Sequence, residues 1–331
     1  MRFSQIHKLY LSNFLTGMVF WYGIEKLFMS SIGINAVGVG ATTAILLAFN
    51  LIFDIPSGIL ADKWSRKGML IVSAVSLAIC SVILGLSTGL ATYIVGYLFY
   101  GVYVVSTSGT YQAIMYDSLH EEGRSSQYSK INGCAYALFL AGAGVANVAS
   151  GFIANSFSFS ATFYITVISC VLNAFLILSL KEPAFHKDEN KERVLKQLGK
   201  TIYMLVNIKL LRSLAIVMSA LAVVELFKAD FGQLYMLRYV TEPQIIGMLW
   251  AAYAFTWALG SLIAHRFRTK LTMLVLLSTL PLVCMSFIDN WFSLVLFMVQ
   301  AVAAAALFNQ IETRVQESTP SSVRASVLSV L

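Results

Sequence analysis

Charge is what this chain has least of. Of its 331 residues, 12% are Asp, Glu, Lys or Arg, about half the usual share in a soluble domain. So little charge excludes a disordered chain, a nucleic-acid-binding domain and a soluble enzyme. Sulfur and imidazole are scarce too. The four cysteines (Cys80, Cys134, Cys170, Cys284) fall inside apolar runs, at spacings that suit neither a metal nor a disulfide, and read as small core residues. The four histidines (His7, His120, His186, His265) sit in polar connecting segments, so a metal site would require distant loops to converge. No cofactor is expected. A Walker-type phosphate loop is absent, which leaves ATP-driven work by this chain unsupported. The first apolar run is long and lacks a small-residue cleavage site, so it is expected to remain as a helix.

What the chain does have is apolar length. Hydrophobic residues make up 58% of it, and its mean hydropathy is +0.76. One membrane crossing takes about 20 apolar residues. Such runs lie at Leu9–Ser30, Ala41–Leu60, Gly68–Leu86, Thr92–Tyr116, Ile131–Ala154 and Ala161–Leu180. Four more follow at Leu214–Tyr239, Ile245–Ala264, Leu271–Phe287 and Trp291–Gln310. They are long and apolar on every face, unlike the short alternating strands of a membrane barrel. The expected fold is all-α and polytopic, with ten full transmembrane helices and the start of an eleventh.

The positive charges give an orientation. With the N-terminus placed in the cytoplasm, 20 of the 23 Lys and Arg residues fall in inward-facing segments. The other three, Lys26, Lys228 and Arg238, lie in or at the ends of spans, and the opposite loops carry none. That asymmetry predicts a multi-pass protein of the plasma (inner) membrane with a cytoplasmic N-terminus. Three segments result: residues 1–180 with six helices, a charged cytoplasmic linker over 181–210, and 211–331 with four helices and the start of a fifth. Apolar residues at helical spacing from Val194 to Val206 predict either an amphipathic helix on the membrane surface or a plain solvated tether.

The two halves echo each other at an offset near 200 residues. "GIEKLFMSS" in the first helix matches "VVELFKADF" in the seventh, pairing Glu25 with Glu225. "YDSLHEEGR" after the fourth matches "VQESTPSSVR" after the tenth, each with an acid followed seven residues later by Arg: Asp117 with Arg124, Glu317 with Arg324. The loop "SGILADKWSRK" has a worn counterpart in "LGSLIAHRFRTK", aligning Gly58 with Gly260 and Arg66 with Arg268. Duplicated halves of this kind are characteristic of secondary transporters.

These residues resemble the major facilitator superfamily. The likeness rests on Gly58-x-x-x-Asp62-x-x-x-Arg66-Lys67 after helix two, on the acid-to-Arg pairs after helices four and ten, on Glu182-Pro183 ending helix six, and on "RASVLS" opening helix eleven. It implies two six-helix bundles around a central cavity that opens alternately to either side. It also implies six helices in the second half, so the last two are expected either to follow beyond Leu331 or to be naturally absent. Physically, Gly58 permits close helix approach and Asp62 offers an anion at a helix end. Arg66 and Lys67 are expected to pair with acids of the adjacent loop, Asp117 foremost, so that Gly58, Asp62, Arg66, Lys67, Asp117, Arg124, Glu317 and Arg324 together form a gate that breaks and re-forms.

Ionisable residues inside spans are costly, which makes Glu25, Asp54, Glu225, Lys228 and Asp230 candidates for proton or substrate binding. At ~1.5 Å per residue, Glu25 and Glu225 lie roughly 20–25 Å from the cytoplasmic ends of their helices. They are read as proton-carrying carboxylates, as direct contacts to a cationic substrate, or as ion pairs that brace helices one and seven. Glu225 and Lys228 stand three apart and can pair on one helix face. Lys26 and Arg238 are expected to snorkel outward, with Asp230 at the outer interface. Asp54, just ahead of Pro56 and Gly58, suits a gate or a proton role.

Trp21, Tyr22, Tyr111, Gln112, Gln233, Trp250, Asn309 and Gln310 stand at cavity depth and are candidate lining residues. Proton-coupled exporters of the resembled family carry an Arg in helix four and a Gly-Pro-rich signature in helix five. Here helix four has no Arg, and helix five, "GAGVANVASGFIA", has glycines without proline. The reading is a secondary active transporter of a small solute, coupled to protons and directed to efflux of drug-like or cationic compounds. The alternatives are a proton-coupled or facilitative importer of a small metabolite, or a non-transporting receptor or scaffold on the same fold. Its partners would be the solute, protons and the lipid bilayer, and the chain would act as a monomer without nucleic acid.

Overall fold

The computed structural model describes residues 4–183, 203, 206–264 and 271–318, without the side chains of Ile55, Asp62, Ser129, Lys130, Gln316 and Glu317. Every regular element among the described residues is helical. Of the segment from Val194 to Val206, expected as an amphipathic helix or a tether, all but Tyr203 and Val206 lies outside them, as does Arg324, and Asp62 and Glu317 are placed by their backbone alone.

Among the described residues these α-helices have both ends placed, in order: α1 (Gln5–Gly17), α2 (Glu25–Ser31), α3 (Ala36–Lys63), α4 (Arg66–Gly85), α5 (Leu90–Thr107), α6 (Thr110–Glu121), α7 (Tyr128–Ser156) and α8 (Phe159–Leu178), then α9 (Lys209–Met236), α10 (Pro243–Ile263), α11 (Leu271–Met285) and α12 (Phe292–Ser318). Polar side chains start several of them. Asn35 accepts from the Gly38 N–H at 3.0 Å, Ser65 from Gly68 at 2.7 Å and Ser158 from Ala161 at 3.2 Å, each meeting one of the donors a helix start leaves unpaired.

Eight spans among the described residues are long and apolar enough to cross a membrane. That corrects the expectation of ten unbroken crossings. The first expected crossing is split into α1 and α2, and the ninth, α11, has 15 residues. The fourth is one apolar stretch carried by α5 and α6, which meet at Gly109, a residue with φ +67° that a side chain would strain. Large apolar side chains such as Leu51, Phe175, Phe227, Leu262 and Leu280 are each more than half exposed. Such a surface belongs in lipid. The molecule is a multi-pass helical membrane protein.

The split in the first crossing has an identifiable cause. No proline is present; instead the helix ladder fails between Gly17 and Tyr22. Met18 N–H donates to Leu15 O at 3.1 Å, Val19 N–H to Gly17 O at 2.8 Å, and Phe20 N–H to the Thr166 hydroxyl on α8 at 3.0 Å. A single 3-10 turn, Tyr22–Ile24, then leads into α2. Just before the split, α1 is pinned backbone to backbone on α7. A Cβ on Gly17 would collide with the Phe139 carbonyl, and one on Gly142 with the Phe14 carbonyl. Small residues make such close crossings possible.

The chain forms two compact units, Met1–Lys187 with Gln233–Ala251, and Asp188–Gly232 with Ala252–Leu331. The expected division at 180 and 210 follows the charged linker. The compact units differ from it by placing the last turn of α9 and the start of α10 with the first six crossings. There a Cβ on Gly151 would meet the Pro243 carbonyl, and one on Gly247 the Asn147 carbonyl. The core of the first unit includes Leu9, Leu70, Ile114, Met115, Leu119 and Ile177. That of the second includes Leu211, Leu214, Leu274, Ala304, Leu307 and Ile311. In the second unit Gly260 sits against the Val302 carbonyl, so the alanine-rich stretch of α12 is again a small-residue crossing.

Candidate functional site

At the basic end of the first unit, the motif after α3 builds a tied corner. Arg66 forms an ion pair with Asp117 of α6, as expected. Lys67 goes elsewhere: its Nζ donates to the carbonyls of Leu178 at 2.7 Å and Leu180 at 2.8 Å, completing the last turn of α8. The partner from the end of α8 is Glu182. It accepts from the Ser65 hydroxyl at 2.7 Å, the Arg66 N–H at 2.9 Å and the Lys67 N–H at 3.0 Å. A carboxylate there meets both the unpaired donors and the positive end of the α4 dipole. Arg124 pairs locally, with Glu122 at 2.8 Å and Gln127 at 2.9 Å, and so does not reach Asp117. Gly58 differs from expectation too: among the described residues nothing lies within 4 Å of where its Cβ would be, so it makes no close helix contact.

The Arg66–Asp117 pair is partly exposed, and its loss should cost stability only about 1 kcal/mol. Arg66→Ala is therefore expected to insert and fold normally while solute turnover drops about tenfold. Turnover equal to wild type in reconstituted vesicles would remove this corner from the transport cycle.

Higher in the first unit, Glu25 and Lys26 open α2, only 8% and 2% exposed. Glu25 accepts from the Tyr93 hydroxyl of α5 at 2.7 Å and from Lys26 Nζ at 3.0 Å. Lys26 therefore does not snorkel outward. A buried ammonium without a counter-charge is far costlier than a paired one, and Glu25 is adjacent. Gln233 is buried beside this pair: its Oε1 accepts from the Lys26 backbone N–H at 3.0 Å, and its Nε2 donates to the Tyr22 carbonyl at 2.5 Å.

The second unit holds an analogous group. Glu225 accepts from the Tyr253 hydroxyl at 2.9 Å and from Gln300 Nε2 at 2.8 Å, with Lys228 Nζ at 3.7 Å. Lys228 in turn donates to Gln300 Oε1 and lies 4.3 Å from the Phe297 ring centre and 4.9 Å from that of Tyr253. Each unit thus encloses one carboxylate that takes a tyrosine hydroxyl and a lysine. Among the described contacts each carboxylate is matched by one lysine.

Asp54 is the contrast. It stands exposed on α3, about 14 Å of helix rise before Lys63, and among the described residues its carboxylate has no hydrogen-bond or ion-pair partner. Asn50, Asp54 and Gly58 fall at i, i+4 and i+8 on one face. Asn50 Oδ1 is unpaired there as well. Pro56 removes a backbone donor from the same turn, and the Ser57 hydroxyl donates to the Asp54 carbonyl at 2.8 Å and to Val105 O of α5 at 2.9 Å. Asp230 is half-buried on α9.

The candidate lining residues separate into two groups. Trp21 is fully buried, stacked on Phe163 and donating to the Ser81 hydroxyl at 3.2 Å. The Tyr111 hydroxyl sits inside the first unit within reach of Ser12 at 2.7 Å and Thr16 at 2.9 Å. Gln310 is buried and donates to the Ala264 carbonyl at 2.7 Å. These three, with Gln233, pack in this conformation rather than line open space. Tyr22, Gln112, Trp250 and Asn309 keep accessible surface. The Tyr22 hydroxyl meets that of Tyr100 at 2.9 Å, and Asn309 donates to the Ser261 hydroxyl at 3.1 Å. Sequence reasoning missed Tyr93, Tyr253, Gln300 and Glu182 as partners. Tyr93, Tyr253 and Gln300 reach across from other helices and Glu182 from the segment after α8, so no local spacing marks them.

Long apolar helices in a duplicated pattern, with a neutralised charge group inside each half, define the scaffold of a polytopic membrane transporter. The chain belongs to the Major Facilitator Superfamily, whose model matches residues 9–331. An uncharacterized transporter of Buchnera aphidicola subsp. Schizaphis graminum (strain Sg) is 27% identical over 172 residues, 52% of this chain and 41% of that protein. The match therefore spans less than half of that relative's length. Among solved structures, the nucleoside transporter NupG is similar with a TM-score of 0.79 at 16% identity, over 99% of this chain and 86% of that one. A bacterial homologue of the human lysosomal transporter Spinster, inward-facing and unoccupied, gives 0.77 at 14%, over 98% and 77%. A D-xylose–proton symporter gives 0.68 at 14%, over 99% and 86%. At these identities the structures show a shared fold.

Proposed function

We propose that this chain works as a secondary active transporter that moves a small organic solute by alternating access, coupled to protons and directed to efflux. The observation that carries the coupling is Asp54, an exposed carboxylate that has no hydrogen-bond or ion-pair partner among the described residues, on a membrane-crossing helix. A bare carboxylate in hydrocarbon is costly, so such a group belongs on a watered path where it binds and releases a proton or meets a cation. Phe49 and Phe53, with ring centres 4.5 Å apart, lie on the same helix, and Phe53 is 43% exposed. An exposed carboxylate and an exposed aromatic ring on one helix suit lipophilic or cationic solutes. Glu25 and Glu225 serve the fold instead, because each is already neutralised by its own lysine. The protein is placed in the plasma (inner) membrane as a monomer with a cytoplasmic N-terminus, on the distribution of its positive charges.

A second reading, proton-coupled import of a neutral metabolite, is favoured by the matching of each buried carboxylate with one lysine. One experiment separates the two. The protein is reconstituted in vesicles with an acidic lumen, and lipophilic cations, nucleosides and sugars are added outside. Alkalinisation of the lumen on adding a cation supports efflux by exchange for protons. Acidification of an initially neutral lumen by an uncharged solute supports import. No proton movement with any solute would remove proton coupling.

A further inference from the structure

The Tyr22 carbonyl and the Lys26 amide N–H are four residues apart, the pair that bonds directly in a continuous α-helix. Here they do not bond to each other. The carboxamide of Gln233 stands between them, accepting from Lys26 N–H at 3.0 Å and donating to Tyr22 O at 2.5 Å. Gln233 is 1% exposed and belongs to the same compact unit as both partners. One side chain therefore replaces one helix hydrogen bond with two, and holds the turn open at the start of α2. Two further contacts keep the split: Thr166 takes the Phe20 N–H at 3.0 Å, and Gly23 leaves no room for a Cβ against the Asn147 backbone.

From this we infer that Gln233 is a positioning residue of the transport cycle, a removable splice whose withdrawal lets Tyr22 O and Lys26 N–H bond directly and carries α2 back toward a continuous first helix. On the backbone side the exchange is closed. With Gln233 in place, both backbone groups are satisfied by its carboxamide; with it gone, they satisfy each other. The withdrawn carboxamide needs partners of its own, so its withdrawal carries it to water or to polar groups outside this packed turn, because a buried polar group left unpaired is costly. That is a bistable element. Glu25 and Lys26 begin α2, so closing this turn rotates the buried pair relative to Tyr93. Gln233 sits in the last turn of α9, and movement of that turn is thereby read out at the first crossing. The motion rests on the transporter reading; the bond exchange does not.

The test uses the full chain in lipid nanodiscs and vesicles, with Gln233→Leu and, should that variant insert poorly, the length-conserving Gln233→Met. Amide hydrogen exchange over residues 18–31 reports on the splice without any solute. The Lys26 amide is expected to stay as protected as in wild type, because it finds Tyr22. Exchange at least about tenfold faster would mean that it was merely orphaned, and would overturn the inference. In vesicles, turnover is expected to fall about tenfold with KM within about threefold; unchanged turnover would overturn it as well. If the wild-type chain carries no solute, the transporter reading fails, and the exchange measurement still decides the splice.

Discussion

Lys228→Met is expected to destabilise the protein by about 3–5 kcal/mol, the cost of breaking a buried ion pair from one side. Lys228 is 5% exposed, and around it stand the Glu225 carboxylate, the Gln300 carbonyl oxygen and two ring faces. Methionine fills the space and leaves Glu225 charged in an apolar bundle, with only Tyr253 and Gln300 to satisfy it. The double variant Glu225→Gln, Lys228→Met removes both charges and keeps a hydrogen-bonding amide beside Tyr253. It should recover most of the loss, because a buried pair and its neutral replacement differ little. Thermal unfolding in detergent of the four proteins of the cycle checks this. A single variant that loses less than about 1 kcal/mol would show a pair screened as if at the surface. In the same preparations the double variant should retain solute-driven proton movement, since Glu225 serves the fold.

Asp54→Asn should have the opposite profile. Among the described residues its carboxylate has no partner to orphan, so stability should change by less than about 0.5 kcal/mol, as for an ordinary exposed substitution. Solute-driven proton flux, by contrast, should fall at least about tenfold, because the amide cannot load and release a proton. Exchange of labelled for unlabelled solute, which requires no net proton movement, should persist. Asp54→Glu should keep part of the flux. The decisive comparison is flux against exchange in one vesicle preparation. Equal loss of both would make Asp54 a substrate contact, and loss of neither would move coupling to another group.

Much of this was legible in the sequence, in proportion to how local the determining physics is. The duplicated Glu25 and Glu225 could be read directly, and so could the three-residue step from Glu225 to Lys228, because helix geometry converts spacing into contact. The Arg66–Asp117 pair followed from loops at one end of the bundle. What escaped depends on side chains arriving from elsewhere. The run from Leu9 to Ser30 has no proline and reads as one helix; it is split because Thr166 and Gln233 capture its backbone groups from α8 and α9. Lys26 reads as an outward-snorkelling residue until Glu25, which also accepts from the Tyr93 hydroxyl, pairs with it. Gly58 reads as a packing glycine, yet among the described residues nothing lies within 4 Å of where its Cβ would be, so its motif position did not foretell a close contact.

The corner formed by Ser65, Lys67 and Glu182 also sets an order of events during synthesis. The amide groups that begin α4 await a carboxylate more than a hundred residues downstream, and the carbonyls that end α8 await Lys67, which emerged long before. Neither helix end is satisfied until the sixth crossing has been made. A chain leaving the ribosome thus holds its third crossing with an unfinished end while three more are inserted, and closing the corner is the step that completes the first bundle as a unit. Glu182 stands just past the sixth crossing, so the residue that completes the start of α4 is made only after that crossing.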